Sequence, residues 1–342
     1  MHASDPDTWP FPARSRTYTR SGTEALSATI QHAGLANSTI VLPAFICRGA
    51  FQQLFEYWGI EPRFVDVDAE TFQIDPQRAS PSLETADAIL LVHAFGRPVP
   101  MDRWKQVAAT DDVLLIEDCA RALGAVGDEG PVGTVGDYSI FSFAKVTPLS
   151  RGGALVHEGS PIALPDSHSI APAVVINTVK NLISNHIHLD RETSQQLHQV
   201  LQRTSGGGEA SPSNPQALDD LTRWRLERYL EKHFAHACRN SHLLATQLTT
   251  VLEDVGIHTQ QSSPGSVHHV LQAIVPGRRD TILSNLRDCG YPVHAVWTDP
   301  WGPATGNFPV AAFLASHVLT FRLREWDMAT IERLRDDIPN LV

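Results

Sequence analysis

Val113-Leu-Leu-Ile-Glu-Asp-Cys-Ala-Arg121 runs from four apolar residues straight into two carboxylates, a thiol and a guanidinium. Residues 113–117 therefore read as a strand buried on both faces, with charge gathered at its carboxyl end. The pattern repeats on either side. Residues 39–42, 63–67, 88–93, 138–143 and 153–157 are further short apolar runs. Between them lie helical patterns: 22–32, with Ala25, Leu26 and Ile30 on one face and Gly34 as its stop; 50–58, stopped by Gly59; and 100–110. Near-continuous apolar strands alternating with helices predict a mostly parallel sheet covered on both faces, an α/β fold.

Past residue 160 the character changes. Residues 171–203 read as a long helix and 205–213, rich in Gly and Ser, as a flexible loop. A second long helix is expected over 218–252. Strand patterns at 267–275, 292–297 and 318–322, with helices near 281–289 and from Met328, describe a small α+β unit. The expected division is a large domain, 1–250, and a small C-terminal domain, 251–342.

Composition narrows the function classes. The 342 residues are 42% hydrophobic and 19% charged, a globular balance that excludes a disordered, collagenous or coiled-coil chain. A net charge of −11 argues against a nucleic-acid partner. No apolar run approaches a membrane span, and the first residues lack a basic-then-apolar signal, so no membrane association and a cytoplasmic location are expected. Cys47, Cys119, Cys238 and Cys289 are scattered without a CxxC and read as reduced thiols. His233, His236 and Cys238 share a helix with charged neighbours and lack a fourth ligand, so no metal site is expected. Neither GxGxxG nor a Walker loop is present. Of the 27 basic residues only Lys105, Lys145, Lys180 and Lys232 are lysines, which leaves few places for primary-amine chemistry.

Four segments carry costly residue types. Arg20-Ser-Gly-Thr-Glu-Ala25 opens a helix with small residues, an anion site suited to phosphate or an ordinary N-cap. Glu117 and Asp118 stand at the carboxyl end of a buried strand, where α/β sheets build their sites; the alternative is an acid pair held by arginine for structural reasons. Gly136-Asp-Tyr-Ser-Ile-Phe-Ser-Phe-Ala-Lys145 delivers Ser142 and Lys145 to a turn, and a lysine there is either a snorkelling surface group or an amine activated by burial and able to form Schiff bases. His93, at another strand end, reads as a satisfied core histidine. A phosphate cradle, a carboxylate and an amine at neighbouring strand ends are what pyridoxal phosphate requires.

The chain resembles the DegT/DnrJ/EryC1/StrS family, fold-type I pyridoxal-phosphate aminotransferases of sugar biosynthesis. The likeness rests on motifs in order: Ser21-Gly-Thr23, Leu42-Pro-Ala-Phe45, Phe64-Val-Asp-Val-Asp68, Val92-His-Ala-Phe-Gly96, Ile116-Glu-Asp-Cys-Ala-Arg-Ala-Leu-Gly124, Gly133-Thr-Val-Gly-Asp137, Phe141-Ser-Phe143 and Gly152-Gly-Ala-Leu155. The 279–280 helix and Val318-Leu-Thr-Phe-Arg322 are similar too. By this resemblance Lys145 is the Schiff-base lysine and Asp118 pairs with the pyridinium nitrogen. Ser142, with the backbone at Gly22 and Thr23, holds the phosphate.

The chain departs from the family in three places. The usual spacing after Phe-Ser-Phe places the lysine at Thr147, whereas counting back from Gly152-Gly153, as in a shorter branch of the family, gives Lys145; a threonine cannot form the imine, and Lys145 is preferred. Arg121 stands where Gln or His is usual, beside the cofactor's phenolic oxygen. Cys47 occupies the position that often stacks an aromatic ring on the cofactor. The resemblance implies a small-molecule substrate and a homodimer with sites at the subunit interface. It also implies transfer of an amino group from an amino-acid donor, by analogy glutamate, to a keto (nucleotide) sugar or related intermediate. The alternatives are a pyridoxamine-phosphate-dependent sugar dehydratase, if Thr147 holds the lysine's position, and a silent ligand-binding relative.

Overall fold

Seven strands form one sheet in the computed structural model, which describes residues 11, 14–166, 214–275, 277–299 and 307–342. In chain order the strands are β1 (Ser15–Thr19), β2 (Thr39–Pro43), β3 (Glu61–Val65), β4 (Ala88–Val92), β5 (Leu114–Asp118), the short arms β6 (Val126–Gly127) and β7 (Gly130–Pro131) of a hairpin, β8 (Tyr138–Ser142) and β9 (Gly153–His157). The large sheet has the order β1-β9-β8-β5-β4-β2-β3. Its pairs from β3 across to β8 are parallel, and β9 runs antiparallel to both β8 and β1. All five residues of β4 are buried, as a strand covered on both faces demands. The expected strands all form. Strand β1 was not anticipated, because Ser15-Arg-Thr-Tyr-Thr19 carries no apolar run.

Four helices cover this sheet: α1 (Gly22–His32), α2 (Arg48–Trp58), α3 (Pro76–Leu83) and α4 (Met101–Asp111), followed by a single turn, α5 (Phe143–Val146). Helix α1 lies against β8 and β9 and buries seven consecutive residues, Glu24 to Ile30. Glu24 is tolerated there because Arg20 grips its carboxylate with Nε at 2.9 and 3.2 Å and Nη2 at 2.6 Å. Helix α2 ends on Gly59 in the left-handed conformation, the stop that the sequence indicates.

The second long helix forms as α6 (Asp220–Tyr229), a π-helical turn over 230–234, and α7 (Ala235–Glu253). Leu244, Leu248 and Leu252 of α7 belong to a second core. That core lies on a four-stranded antiparallel sheet of order β10-β11-β13-β12, from β10 (His258–Thr259), β11 (Val270–Ile274), β12 (Val293–His294) and β13 (Val318–Arg322). Helices α8 (Arg279–Asp288), α9 (Pro309–His317) and α10 (Met328–Asp337) complete it. The expected helix at 171–203, the loop at 205–213 and residues 300–306 lie outside the described residues. Among the described residues no helix is long and apolar enough to cross a membrane, and all four cysteines are free thiols.

Candidate active site

The carboxyl ends of β5 and β8 and the N-terminus of α1 surround a cavity of about 160 Å³. Gly22, Thr23, Cys47, Asp118, Arg121, Ser142 and Lys145, the residues singled out by sequence, all line it. This is the crevice outside parallel-strand ends where α/β sheets hold ligands.

Each wall has a physical origin. Ser21 caps α1 by accepting Glu24 N–H at 3.2 Å, and the helix's first internal bond is Ala25 N–H to Ser21 C=O at 3.0 Å. The amides of Gly22 and Thr23 precede that bond, so they face the cavity without a helical acceptor. The space there is tight: a Cβ on Gly22 would fall 2.9 Å from Ser142 Cβ, and one on Gly153 only 2.5 Å from the carbonyl carbon of Ser21. Glycine at both positions lets β9 and β8 press the helix terminus against the Ser142 hydroxyl. That hydroxyl caps no helix, although Ser142 stands at the N-cap position of α5.

Asp118 ends β5 and is buried. One carboxylate oxygen accepts Ala120 N–H at 2.8 Å; the other has no hydrogen-bonding partner among the described residues. Lys145 sits in the single turn α5 and has no ion pair or hydrogen bond among the described residues. Burial pushes its pKa down, the charge of Asp118 opposes that fall, and Arg121 adds to it. Thr147, the alternative register, does not line the cavity. Its hydroxyl donates to Phe143 C=O at 2.8 Å and accepts Leu149 N–H at 3.2 Å, a local cap with no reactive face.

Glu117 points to the other side of β5. Its oxygens accept Gly133 N–H at 2.9 Å, Val135 N–H at 3.0 Å and Gly136 N–H at 2.5 Å. His93 Nε2 donates to it at 2.8 Å while His93 Nδ1 accepts Val99 N–H at 2.9 Å. Burial alone would raise the Glu117 pKa; the His93 hydrogen bond and the amides of Gly136 and Gly133 outweigh it and hold the group below the ordinary carboxylate range. Among the described residues His93, Glu117 and Cys119 are the one set with metal-ligand spacing. The Glu117 oxygens in it are already filled. His93 is thus the satisfied core histidine that its position suggested. Neither acid forms an ion pair with Arg121, so the structural pairing weighed from sequence is not present among the described residues.

Sequence reasoning missed the aromatic rim. Trp297 packs against Phe95 with ring centroids 4.3 Å apart and against Phe45 at 5.1 Å. Phe95 and Trp297 both adopt left-handed backbone, with φ of 55° and 54°. Strained backbone of this kind persists where surrounding packing enforces it. An aromatic just after the short strand β12 was the available signal.

Comparison with known proteins agrees with the motif reading. Residues 14–165 match the DegT/DnrJ/EryC1/StrS aminotransferase family. GDP-perosamine synthase of Escherichia coli O157:H7 is 32% identical over 143 residues, 41% of this chain and 39% of that protein. L-glutamine:2-deoxy-scyllo-inosose aminotransferase of Streptomyces kanamyceticus is 27% identical over 287 residues, 80% of this chain and 63% of the relative. The chain thus spans less than two thirds of either relative. Among solved structures, 3-amino-5-hydroxybenzoic acid synthase superposes with a TM-score of 0.72 at 18% identity, covering 95% of this chain and 86% of that one, which identifies the fold as that of fold-type I enzymes. Ordered motifs and the matched segment agree: residues 14–165, somewhat under half of the chain, are similar to the DegT/DnrJ/EryC1/StrS aminotransferase family.

Proposed function

We propose that the chain is a pyridoxal-phosphate-dependent aminotransferase. It would move an amino group from an amino-acid donor, glutamate first among them, to a keto (nucleotide) sugar or related biosynthetic intermediate. The observation that carries this is one cavity holding, among the described residues, an amine without a partner, a half-satisfied carboxylate and a helix N-terminus backed by a free hydroxyl. Those donor and acceptor types fit the cofactor's aldehyde, ring nitrogen and phosphate. When bound, pyridoxal phosphate supplies a carbonyl that amines attack and a ring that withdraws electrons.

The chain's own residues do the rest. The amides of Gly22 and Thr23 and the Ser142 hydroxyl bind the phosphate, with the α1 terminus favouring its charge. Asp118 holds a proton on the ring nitrogen through its free oxygen. Lys145 Nζ is the group that would hold the cofactor's carbonyl carbon and, once freed, would move the proton on the donor's α-carbon; burial lowers its pKa, which favours the uncharged amine that this role needs. Cys47 and Arg121 line the same cavity. Thr147 is occupied elsewhere, which supports the lysine register over the dehydratase reading. The resemblance to the family also supports a homodimer, testable by light scattering.

The absorption spectrum of the loaded protein tests the function. Adding L-glutamate or L-glutamine should convert the visible cofactor band to a near-ultraviolet one, and a keto sugar should reverse the change. A loaded protein whose spectrum ignores both donors contradicts the aminotransferase reading.

A further inference from the structure

Residues 68–78, after β3, and 97–104, after β4, enclose a second cavity, of about 460 Å³. It shares no lining residue with the active-site cavity. Its charged lining is Arg78, Arg97 and Arg103 against Asp68 and Asp75; Glu70 and Asp102, nearby in sequence, do not line it. Both carboxylates are engaged locally. Asp68 Oδ1 accepts Glu70 N–H at 3.0 Å, Thr71 N–H at 2.8 Å and the Thr71 hydroxyl at 3.0 Å. Asp75 caps α3 by accepting Gln77 N–H at 2.8 Å. Donors are left over. Arg78 Nη1 reaches Val67 C=O at 3.3 Å and Arg97 Nη1 reaches Gln261 C=O at 2.5 Å, but none of the three arginines has a carboxylate within ion-pair distance among the described residues. The Nε–H of Arg97 is buried without an acceptor. Trp104 is 1% exposed yet lines the cavity, and its indole N–H has no acceptor among the described residues.

Buried donors without acceptors cost stability, and a ligand rich in acceptor oxygens offsets that cost. Three guanidiniums and an indole offer more donors than the two oxygens of a carboxylate can use, whereas a phosphate group presents three oxygens and nearly double the charge. The cavity is also larger than a bare phosphate needs, and Ile74, Pro76, Pro100 and the Trp104 ring supply an apolar wall. We propose that this cavity binds a phosphate ester with an apolar body, at a site separate from the one where the reaction takes place. Nothing in this site depends on the aminotransferase reading.

Phenyl phosphate is the probe, with benzoate as its carboxylate counterpart and inorganic phosphate as the anion without a body. Each is titrated by calorimetry into the full chain saturated with pyridoxal phosphate, so that the cradle of Gly22, Thr23 and Ser142 is already filled. Phenyl phosphate should bind more tightly than either of the others. Arg97→Gln should weaken it about tenfold, as the loss of a charge-assisted hydrogen bond does, and Arg103→Gln severalfold. Ser142→Ala should leave it unchanged. Arg103 is exposed and unpaired among the described residues, so Arg103→Gln keeps the test open where Arg97→Gln, which loses the Gln261 contact, fails to fold. Absence of binding to wild type, equal binding to wild type and Arg103→Gln, benzoate or inorganic phosphate binding as tightly as phenyl phosphate, or binding lost in Ser142→Ala overturns the proposal. A chain that binds phenyl phosphate through Arg97 and Arg103 but never takes up cofactor keeps this site and removes the function proposed above.

Discussion

The two sides of β5 hold adjacent carboxylates in opposite conditions. On one side Glu117 is saturated: three backbone amides and His93 fill both oxygens. On the other side Asp118 gives one oxygen to Ala120 and turns the second to a cavity that also holds Lys145 and Arg121. Both are buried, so burial does not distinguish them. Satisfaction does. A polar group whose hydrogen bonds are complete rigidifies the fold, whereas one left incomplete beside other incomplete groups is poised for a ligand.

Asp118→Asn gives the largest expected difference. It removes the charge offered to the ring nitrogen, so half-reaction rates should fall a hundredfold or more, about 3 kcal/mol of transition-state stabilisation, while the denaturant midpoint stays near wild type. Near-normal rates would remove Asp118 from that role. Glu117→Gln should do the reverse. Its amide nitrogen would have to face a donor whichever way it turned, and the expected loss is about 3 kcal/mol of unfolding free energy, read from urea melts. If Glu117→Gln is as stable as wild type, the contrast between the two sides fails.

Acid sensitivity sharpens the contrast on a smaller scale. The folded Glu117 pKa is lowered, so its stabilisation is full above the ordinary carboxylate value of 4.5 and disappears as pH falls through the folded pKa. His268 and His269 behave differently: burial first, with like charges nearby, lowers both from 6.5 to about 4. The unfolded chain takes up those protons first, so stability should already decline as pH falls from 6.5 towards 4. Urea midpoints measured across that range should show this early decline, and His269→Gln should flatten it. A midpoint that holds constant down to pH 4.5 would exclude the histidine contribution.

The parallel sheet was legible because its central strands are uninterrupted apolar runs, β4 above all. Strand β1 was hidden because its residues alternate and its pairing partner, β9, lies far along the chain. The segment 309–317 was missed because Pro-Val-Ala-Ala-Phe-Leu-Ala-Ser-His is apolar nearly all round and lacks a helical stripe. In the site, residue types at strand ends were readable, and all seven candidates line one cavity. Their state of pairing was not. Alternation places Glu117 and Asp118 on opposite sides without revealing which side is hollow. Trp297 reaches the site from a segment that lies more than 170 residues beyond β5.

The central claim is that Lys145, among four lysines, is the amine that engages the cofactor. Borohydride reduction of the chain loaded with pyridoxal phosphate, followed by digestion and mass spectrometry, tests it most directly. The account predicts the cofactor's mass fixed on the peptide containing Lys145. Fixation on Lys105, Lys180 or Lys232, or a loaded chain with no fixed cofactor on any peptide, would contradict it.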